Sequence, residues 1–486
     1  MLSLKDYKEI EKDISKIYSQ LELKIIENIA LRLTKINFAK GVVLNNVKVL
    51  QQMGLLYNDI IELVGKYSHL SSAEVKRLFE QAGAKTIAYD DKIYKKNGIK
   101  VNPFNQSPAL VKFLDTMITR TNKDLRNLTL TTANNAQELF INAVNNSYLE
   151  VSTGYKSYSQ SILDAVKQLS EQGAYVTYSK NGKTRKDKIE VATRRAVMTS
   201  ISQTCGELQL KRAIELGWDL MQLTAHKDPR PTHAVWQGKK VSLSGQKGYL
   251  SLKDIKYGKI DGFKGINCYH DWLPTTKNSK LLYTNQQLSD MLTKVDYNGK
   301  EITGYEAKQI RRRKERQIRE DKRELSGIQG ILKNNNLSKQ EIIDFKTAYG
   351  KKSLIYNTHK NELNNFIKQT EGNNDYLRLN TGKIERNVMN EKDKVVKIAD
   401  KYNTSIIGMK VNNIEIKSVG EHIISRTYAR DIDYNNILDT LNNPIKFGKI
   451  RKDGSQQIKG KECVIVINVD TGKLITSFAK KTKSEV

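Results

Sequence analysis

The chain has 486 residues, with 82 Lys and Arg against 53 Asp and Glu, for a net charge of +29. That length outgrows a single compact core and implies two to four domains, or a long helical body with modules attached. Six prolines and 29 glycines exclude a collagen-like or proline-rich chain, and 38% hydrophobic residues leave material for cores.

Residues 4–36 predict a long amphipathic helix. Ile10, Ile14, Ile17, Leu21, Ile25, Ile29 and Leu33 recur every three or four positions, with Lys, Glu and Asp between them. Residues 43–66 repeat the pattern with Val47, Leu50, Leu55, Ile60, Ile61 and Val64. Ser71-Ser72-Ala73-Glu74 before Val75 reads as a capping box that opens a short helix. Residues 90–105, with Asp90-Asp91 and Asn102-Pro103, read as irregular, and helical patterns resume over 107–151 and 157–172. Ala174-Tyr175-Val176-Thr177-Tyr178 alternates and Lys180-Asn181-Gly182-Lys183 turns, which predicts a hairpin. A helix follows from Val191 to Leu216, with Ala192, Val197, Ile201, Leu208 and Ala213 on its apolar side. Residues 217–275 are short elements rich in Gly, His, Trp and Asn.

Residues 300–330 are the most charged stretch. Lys308, Arg311, Arg312, Arg313, Lys314, Arg316, Arg319, Lys322 and Arg323 mix with Glu315, Glu320, Asp321 and Glu324. Two readings fit: a solvated helix face laced with ion pairs, or a helix whose Arg311, Arg312, Arg313, Arg316 and Arg319 touch phosphates. Residues 331–395 continue as Lys- and Asn-rich helices with joints at Asn334-Asn335-Asn336 and Gly372-Asn373-Asn374, and a domain boundary is placed near 385–400. Beyond it, helices at 418–430 and 433–442 precede Lys446–Arg451, a turn at Asp453-Gly454, Glu462–Val469, a turn at Asp470-Thr471-Gly472, and Lys473–Lys480. Alternating runs around a Thr-Gly turn predict a small α+β unit there.

No run approaches the roughly 18 apolar residues of a membrane helix, so no membrane span is expected. Met1-Leu2-Ser3-Leu4-Lys5-Asp6 has no apolar signal region. Cys205, Cys268 and Cys463 lie far apart, which suits a reducing compartment rather than a disulfide framework. The charge by itself supports contact with polyanions without regard to sequence.

Two constellations bear chemistry. The first joins His226-Lys227-Asp228-Pro229-Arg230-Pro231-Thr232-His233 and Trp236-Gln237-Gly238 to Gly265-Ile266-Asn267-Cys268-Tyr269-His270. His226, His233, Cys268 and His270 have ligand types that suit zinc, but their spacing fits no standard finger, and a structural reading is favoured, with no cofactor expected. In that reading Asp228 pairs with Arg230 to tie a loop, Trp236 and Trp272 fill a small core, and Cys268 is a small buried apolar residue. A nucleophile made of Cys268 with His233 or His270 is the remaining alternative. The second constellation is His422, Arg426 and Arg430, four apart and therefore on one helix face, with Thr476 and Ser477 offered by the following hairpin. Arginines of this kind can hold a phosphodiester while a histidine moves a proton. Its alternative is a surface helix of a small structural domain. No Walker-type loop and no His-Glu-x-x-His occurs, which argues against an ATPase or a zinc protease.

Much of residues 1–385 resembles the phage minor capsid protein 2 family, a branch of the Mu F-like head proteins. The resemblance rests on Asn127-Leu128-Thr129, Gly154-Tyr155-Lys156-Ser157-Tyr158, Val191-Ala192-Thr193-Arg194-Arg195, the two His-containing motifs above, and Tyr305-Glu306-Ala307-Lys308-Gln309 leading into Arg311–Arg316. The Arg230–His233 and Gly265–His270 combination is its specific part, Asp228, Arg230, His233, Trp236, Gly238, Asn267, Cys268 and His270 are the structural motif residues, and Tyr269 stands where such proteins usually carry Arg. The resemblance implies a virion protein, made in the host bacterial cytoplasm and built into the capsid near the portal. Its implied partners are portal and capsid proteins and phage DNA, and its implied roles are head assembly and genome packaging or delivery. The last 90 or so residues lie outside that match and resemble the barnase–EndoU–colicin–RelE superfamily of metal-free RNases. That likeness implies His422 as general acid or base, Arg426 and Arg430 as phosphate holders, Thr476 as an assisting group, and RNA as substrate.

The expected fold class is therefore mainly α. A helical body (1–173) leads into a small α+β Mu F-like core (174–275) and a charged helical extension (276–395). A carboxyl-terminal α+β domain (396–486) follows, with helices before an antiparallel sheet. The function expected is a minor head protein with an appended RNase module. Its rivals are a virion-delivered nuclease toxin and a nonspecific DNA-binding protein.

Overall fold

The structure is a computed structural model that describes residues 2–36, 42–180, 183–370 and 383–480. It opens with four helices, α1 (Leu4–Leu33), α2 (Val42–Lys96), α3 (Pro108–Ser152) and α4 (Tyr158–Gln172). A hairpin, β1 (Tyr175–Lys180) and β2 (Lys183–Lys188), leads into α5 (Ile189–Glu215). The middle holds β3 (Leu220–Leu223), α6 (Pro231–Ala234), β4 (Lys240–Ser242), β5 (Leu250–Ser251), β6 (Trp272–Pro274), α7 (Asn285–Asp290), β7 (Lys294–Tyr297) and β8 (Lys300–Thr303). Three long helices follow: α8 (Gly304–Ile331), α9 (Lys339–Thr370) and α10 (Lys383–Ser405). The carboxyl-terminal part holds β9 (Lys410–Val411), β10 (Ile414–Glu415), β11 (Ser418–Val419), α11 (Glu421–Ala429) and α12 (Tyr434–Asn442). It ends on β12 (Lys446–Phe447), β13 (Ser455–Lys459), β14 (Cys463–Asn468) and β15 (Lys473–Ala479). The fold is mainly α with small sheets.

Apolar periodicity explains the helical body. Ser3 and Asp6 cap α1 reciprocally, and Ile10, Ile14, Leu21, Ile25, Ile29 and Leu33 are all buried. That stripe packs on α2, α5 and, most extensively, α8. Two local readings are corrected. The Ser71–Glu74 box opens no helix, because α2 runs unbroken from Val42 to Lys96. The Ser71 hydroxyl instead meets the buried Tyr18 hydroxyl at 3.2 Å, and Glu74 pairs with Arg77 on the same helix. Asp90 and Asp91 are likewise helical and buried, held by Gln209 and Arg212 of α5 at 2.9 Å each, so the irregular stretch begins only after Lys96. The predicted turn residues Asn181 and Gly182, and the joint at Gly372-Asn373-Asn374, lie outside the described residues.

The charged helix is only in part a solvated face, with Arg313 and Arg316 exposed. Glu315, Ile318, Asp321, Lys322 and Arg323 of α8 are buried between α1, α4 and α9. Arg323 donates to the Ser170 carbonyl at 2.6 Å and faces Glu22, while Lys352 of α9 bridges Asp321 (2.7 Å) and Glu324 (2.8 Å). Glu315, Asp321 and Arg323 persist at this depth because each finds an opposite charge or a backbone acceptor.

Two cores result. One runs from α1 through α8 and α9 into the carboxyl-terminal part, where α9 packs on α11, and α11 packs on β15. That part's five-stranded sheet has the order β11-β15-β14-β13-β12, antiparallel except for the β11–β15 pair. α10 spans the expected boundary near 385–400 without a break. The second, smaller core holds Met221, Leu223, Trp236, Val241, Ile255, Phe263, Cys268 and Trp272 beneath a four-stranded sheet of order β5-β4-β3-β6.

Candidate functional site

The smaller core carries the first constellation. After β3 the chain passes through residues 224–230 into α6, a single turn started by Pro231 at a position where its missing N–H costs nothing. This turn presents His233 inward, 2% exposed, and Trp236 and Gln237 follow it into the core. Gly238 closes the run with φ +77°, the left-handed region that favours glycine, and its carbonyl accepts from Gln222 Nε2 at 2.9 Å. The second motif approaches from the other side. A Cβ on Gly265 would stand 2.0 Å from the Lys259 carbonyl oxygen, so only glycine fits the turn. Asn267 takes φ +57°, a conformation its residue type tolerates, and swings Cys268 into the core.

The two stretches meet. Arg230 donates from Nη2 to the Ile266 carbonyl at 3.0 Å. Cys268 Sγ lies 3.8 Å from His270 Nδ1, and the His226 and His270 rings lie 4.2 Å apart. His233 and Trp236 pack on the His270 ring at 5.3 and 4.7 Å. One ligand atom each from His233, Cys268 and His270 fall within 4.8 Å of one another. Asp228 does not pair with Arg230. Left-handed backbone at Asp228 (φ +49°) turns its carboxylate to Thr293, whose hydroxyl and N–H donate at 2.6 and 3.1 Å, with Lys308 at 3.6 Å.

Burial decides the protonation here. It pushes His233 down to about 4 and His270 well below the usual imidazole range, with neighbouring cations and rings adding to the effect. Burial also pushes the Cys268 thiol up, the opposite of what an activated nucleophile needs. Beneath the cluster, Lys264 Nζ sits 2.7 Å from Asp271 Oδ1, both side chains fully buried. Burial opposes the Lys264 charge, but Asp271 outweighs it and the ammonium is held. Asp271 also accepts from the Leu2 N–H at 2.7 Å, which docks the start of α1 onto this core.

The arginines of α8 do not act as one group. Arg311 pairs with Glu315 at 3.0 Å, Arg319 faces Glu190 at 3.6 Å, Arg312 is half-buried, and Arg313 and Arg316 are exposed. In the carboxyl-terminal part, His422 and Arg426 of α11 line a cavity of about 440 Å³ with Lys351 and Lys352 of α9 and Lys167 of α4. Partial burial, then Arg426, Lys351 and Arg430, holds His422 below the usual imidazole value. Arg430 donates to the Ser477 carbonyl and lies over the Phe478 ring at 4.4 Å. The hydroxyl that meets α11 is Ser477, 3.0 Å from Thr427. Thr476, half-buried on β15 beside a register shift against β14, is not among the residues that line the His422 cavity.

The family model described as phage minor capsid protein 2 matches residues 4–368. The chain belongs to that family. This minor capsid protein is also similar to a protein named "Structural protein" of Lactococcus phage LL-H, 27% identical over 336 residues that cover 65% of this chain and 85% of the relative. No solved structure matches it. The family match contains both His-containing motifs and stops two residues before the end of α9, so α11 and the sheet beside it lie beyond it.

Sequence reasoning missed three members of the minor capsid protein's central site. Gln237 sits inside a quoted motif, yet nothing marked its amide as the partner of His270 Nε2 at 3.1 Å. Asp271 follows the motif directly, and only its neighbour Trp272 attracted notice. Lys264 is one of 82 basic residues and carries no local signal at all.

Proposed function

We propose that this minor capsid protein is a low-copy component of the phage head at the portal vertex, acting in head assembly and in the packaging or delivery of DNA. The observation that carries the reading is the family match over residues 4–368, and the name of the phage relative supports its coarser part, a structural protein of the particle. A net charge of +29 suits a capsid interior filled with DNA, where exposed Lys and Arg, Arg313 and Arg316 among them, contact phosphates without regard to sequence. Portal and capsid proteins are its partners, and host bacterial cytoplasm is its place of synthesis. Among the described residues no helix is long and apolar enough to cross a membrane. Particles purified from cells infected with phage carrying a tagged copy should contain the chain together with portal and capsid proteins. Abundant chain in host lysate with none in the particles would defeat the reading.

A second reading concerns the carboxyl-terminal part as a metal-independent RNase module, which in a toxin reading would be delivered with the virion. It is favoured by the His422–Arg426 cavity. Arg426 Nε and Nη1 are buried there without a hydrogen-bond partner, and Asp344 lies no closer than 3.9 Å. The full chain should then cleave RNA in the presence of a chelator. A rate unchanged by His422→Ala with Arg426→Ala would remove this site.

A further inference from the structure

The geometry points to a metal site in the central core. We propose that His233, Cys268 and His270 together bind one divalent ion of the zinc class, with His226 closing the fourth side.

The first support is convergence. Ligands around a tetrahedral zinc stand roughly 3.3–3.8 Å from one another, given Zn–N of about 2.0 Å and Zn–S of about 2.3 Å. Cys268 Sγ and His270 Nδ1 already lie 3.8 Å apart, and all three ligand atoms fall within 4.8 Å, so closure needs shifts of about 1 Å. The second support is independent of that closeness and comes from what lies behind the rings. His233 Nε2 lies 3.0 Å from the Asp261 carbonyl, and His270 Nε2 lies 3.1 Å from the Gln237 carbonyl oxygen. Both partners only accept, so each Nε2 carries the proton and each Nδ1 keeps its lone pair. The Gln237 oxygen is fixed in turn by the His226 N–H at 3.3 Å. Metal-binding histidines are held in this way, one ring nitrogen donating to an outer carbonyl while the other faces the ion. His226 follows suit, its Nδ1 3.1 Å from the Lys227 carbonyl, which leaves Nε2 as its lone-pair nitrogen.

The chemistry balances. The imidazoles are neutral and donate lone pairs with no proton change, whereas the Cys268 thiol gives up its proton to solvent as the sulfur–metal bond forms. One proton is released per ion bound. A thiolate with two imidazoles prefers zinc-class ions to magnesium or calcium, which take oxygen ligands. Little of the site reaches solvent, since His233 and His270 are 2% and 0% exposed and Cys268 4%. Such closure fits a structural ion rather than a catalytic one.

The test uses the full chain, stripped with chelator and dialysed, then titrated with Zn²⁺ or Co²⁺. The expected result is about one zinc per chain by atomic emission, a Co²⁺ complex with a sulfur-to-metal charge-transfer band, and a melting temperature that rises with bound zinc. Cys268→Ser should abolish the charge-transfer band and weaken zinc binding at least tenfold, with far-UV circular dichroism reporting that the fold persists. Should that variant misfold, the Co²⁺ spectrum of the unaltered chain still decides. Zinc uptake far below one per chain, or a Co²⁺ complex without the thiolate band, would overturn the assignment.

Discussion

Lys264 and Asp271 place two full charges where no water reaches, and their environment supplies everything else they need. Asp271 takes Lys264, the Leu2 N–H and the Trp272 N–H, while its own N–H goes to Thr224 Oγ1 at 2.8 Å. Removing one partner leaves an uncompensated buried charge. Lys264→Met should therefore cost about 3–5 kcal/mol of stability, measured by urea unfolding. Lys264→Met combined with Asp271→Leu should cost much less than Lys264→Met alone, because no charge remains stranded. This level of detail was illegible in the sequence. Rare residue types, two tryptophans, three histidines and a cysteine, announced the core. A lysine in a lysine-rich chain did not, and its partner is fixed by a turn that only the folded chain makes. Asp228 shows the same limit: adjacency suggested Arg230, but a left-handed backbone sends the carboxylate to Thr293.

Among the elements, α8 carries the clearest lesson. Its composition reads as surface, yet Gly330 lets it press on α1, where a Cβ would stand 2.5 Å from the Glu27 carbonyl oxygen. Gly330→Val should destabilise the chain by several kcal/mol through overpacking at this crossing, visible as a lower urea midpoint. Lys322 on the same helix makes a pH signature. Burial first, then Arg319, Lys360 and Lys392, pushes it down to about 7 from an ordinary 10.5. Between these values the unfolded chain holds more protons than the folded one. Stability contributed by this group therefore rises with pH from about 7 towards 10.5 and is lost as pH falls back, by up to about 1.4 kcal/mol per unit. Lys322→Met should remove that rise. Urea unfolding of both chains at pH 7, 8 and 9 checks it, and parallel slopes would contradict it. Long apolar periods located α1, α3, α4 and α5 to within a few residues. Capping signals misled in α2, because a Ser-x-x-Glu pattern also occurs mid-helix when its serine has a tertiary partner.

At the scale of the whole molecule, the carboxyl-terminal part is not a loosely tethered passenger. Gly350 of α9 lies so close to α11 that a Cβ would touch Ser425 Cα at 3.0 Å, Tyr349 and Tyr428 rings face each other at 6.1 Å, and Lys346 pairs with Asp431 at 3.1 Å. A chain cut after residue 395 would expose Tyr349 and the face of α9 that α11 covers. It should self-associate in size-exclusion chromatography and melt below the full chain. The Arg-Pro-Thr-His and Gly-Ile-Asn-Cys-Tyr-His motifs made the family legible. Packing between elements hundreds of residues apart was not, because no local pattern encodes it.

That separation has a cost in time. The Arg323 guanidinium reaches Glu22 across 301 positions, and the Asn334 amide reaches Thr34 across 300. At ribosomal speeds of about 5–20 residues per second, the side of the first helix that α8 covers waits roughly 15–60 s for that segment. A newly made chain therefore passes a long interval with sticky surface uncovered, and its yield in a heterologous host should depend on slow synthesis temperature and on chaperones that shield nascent chains.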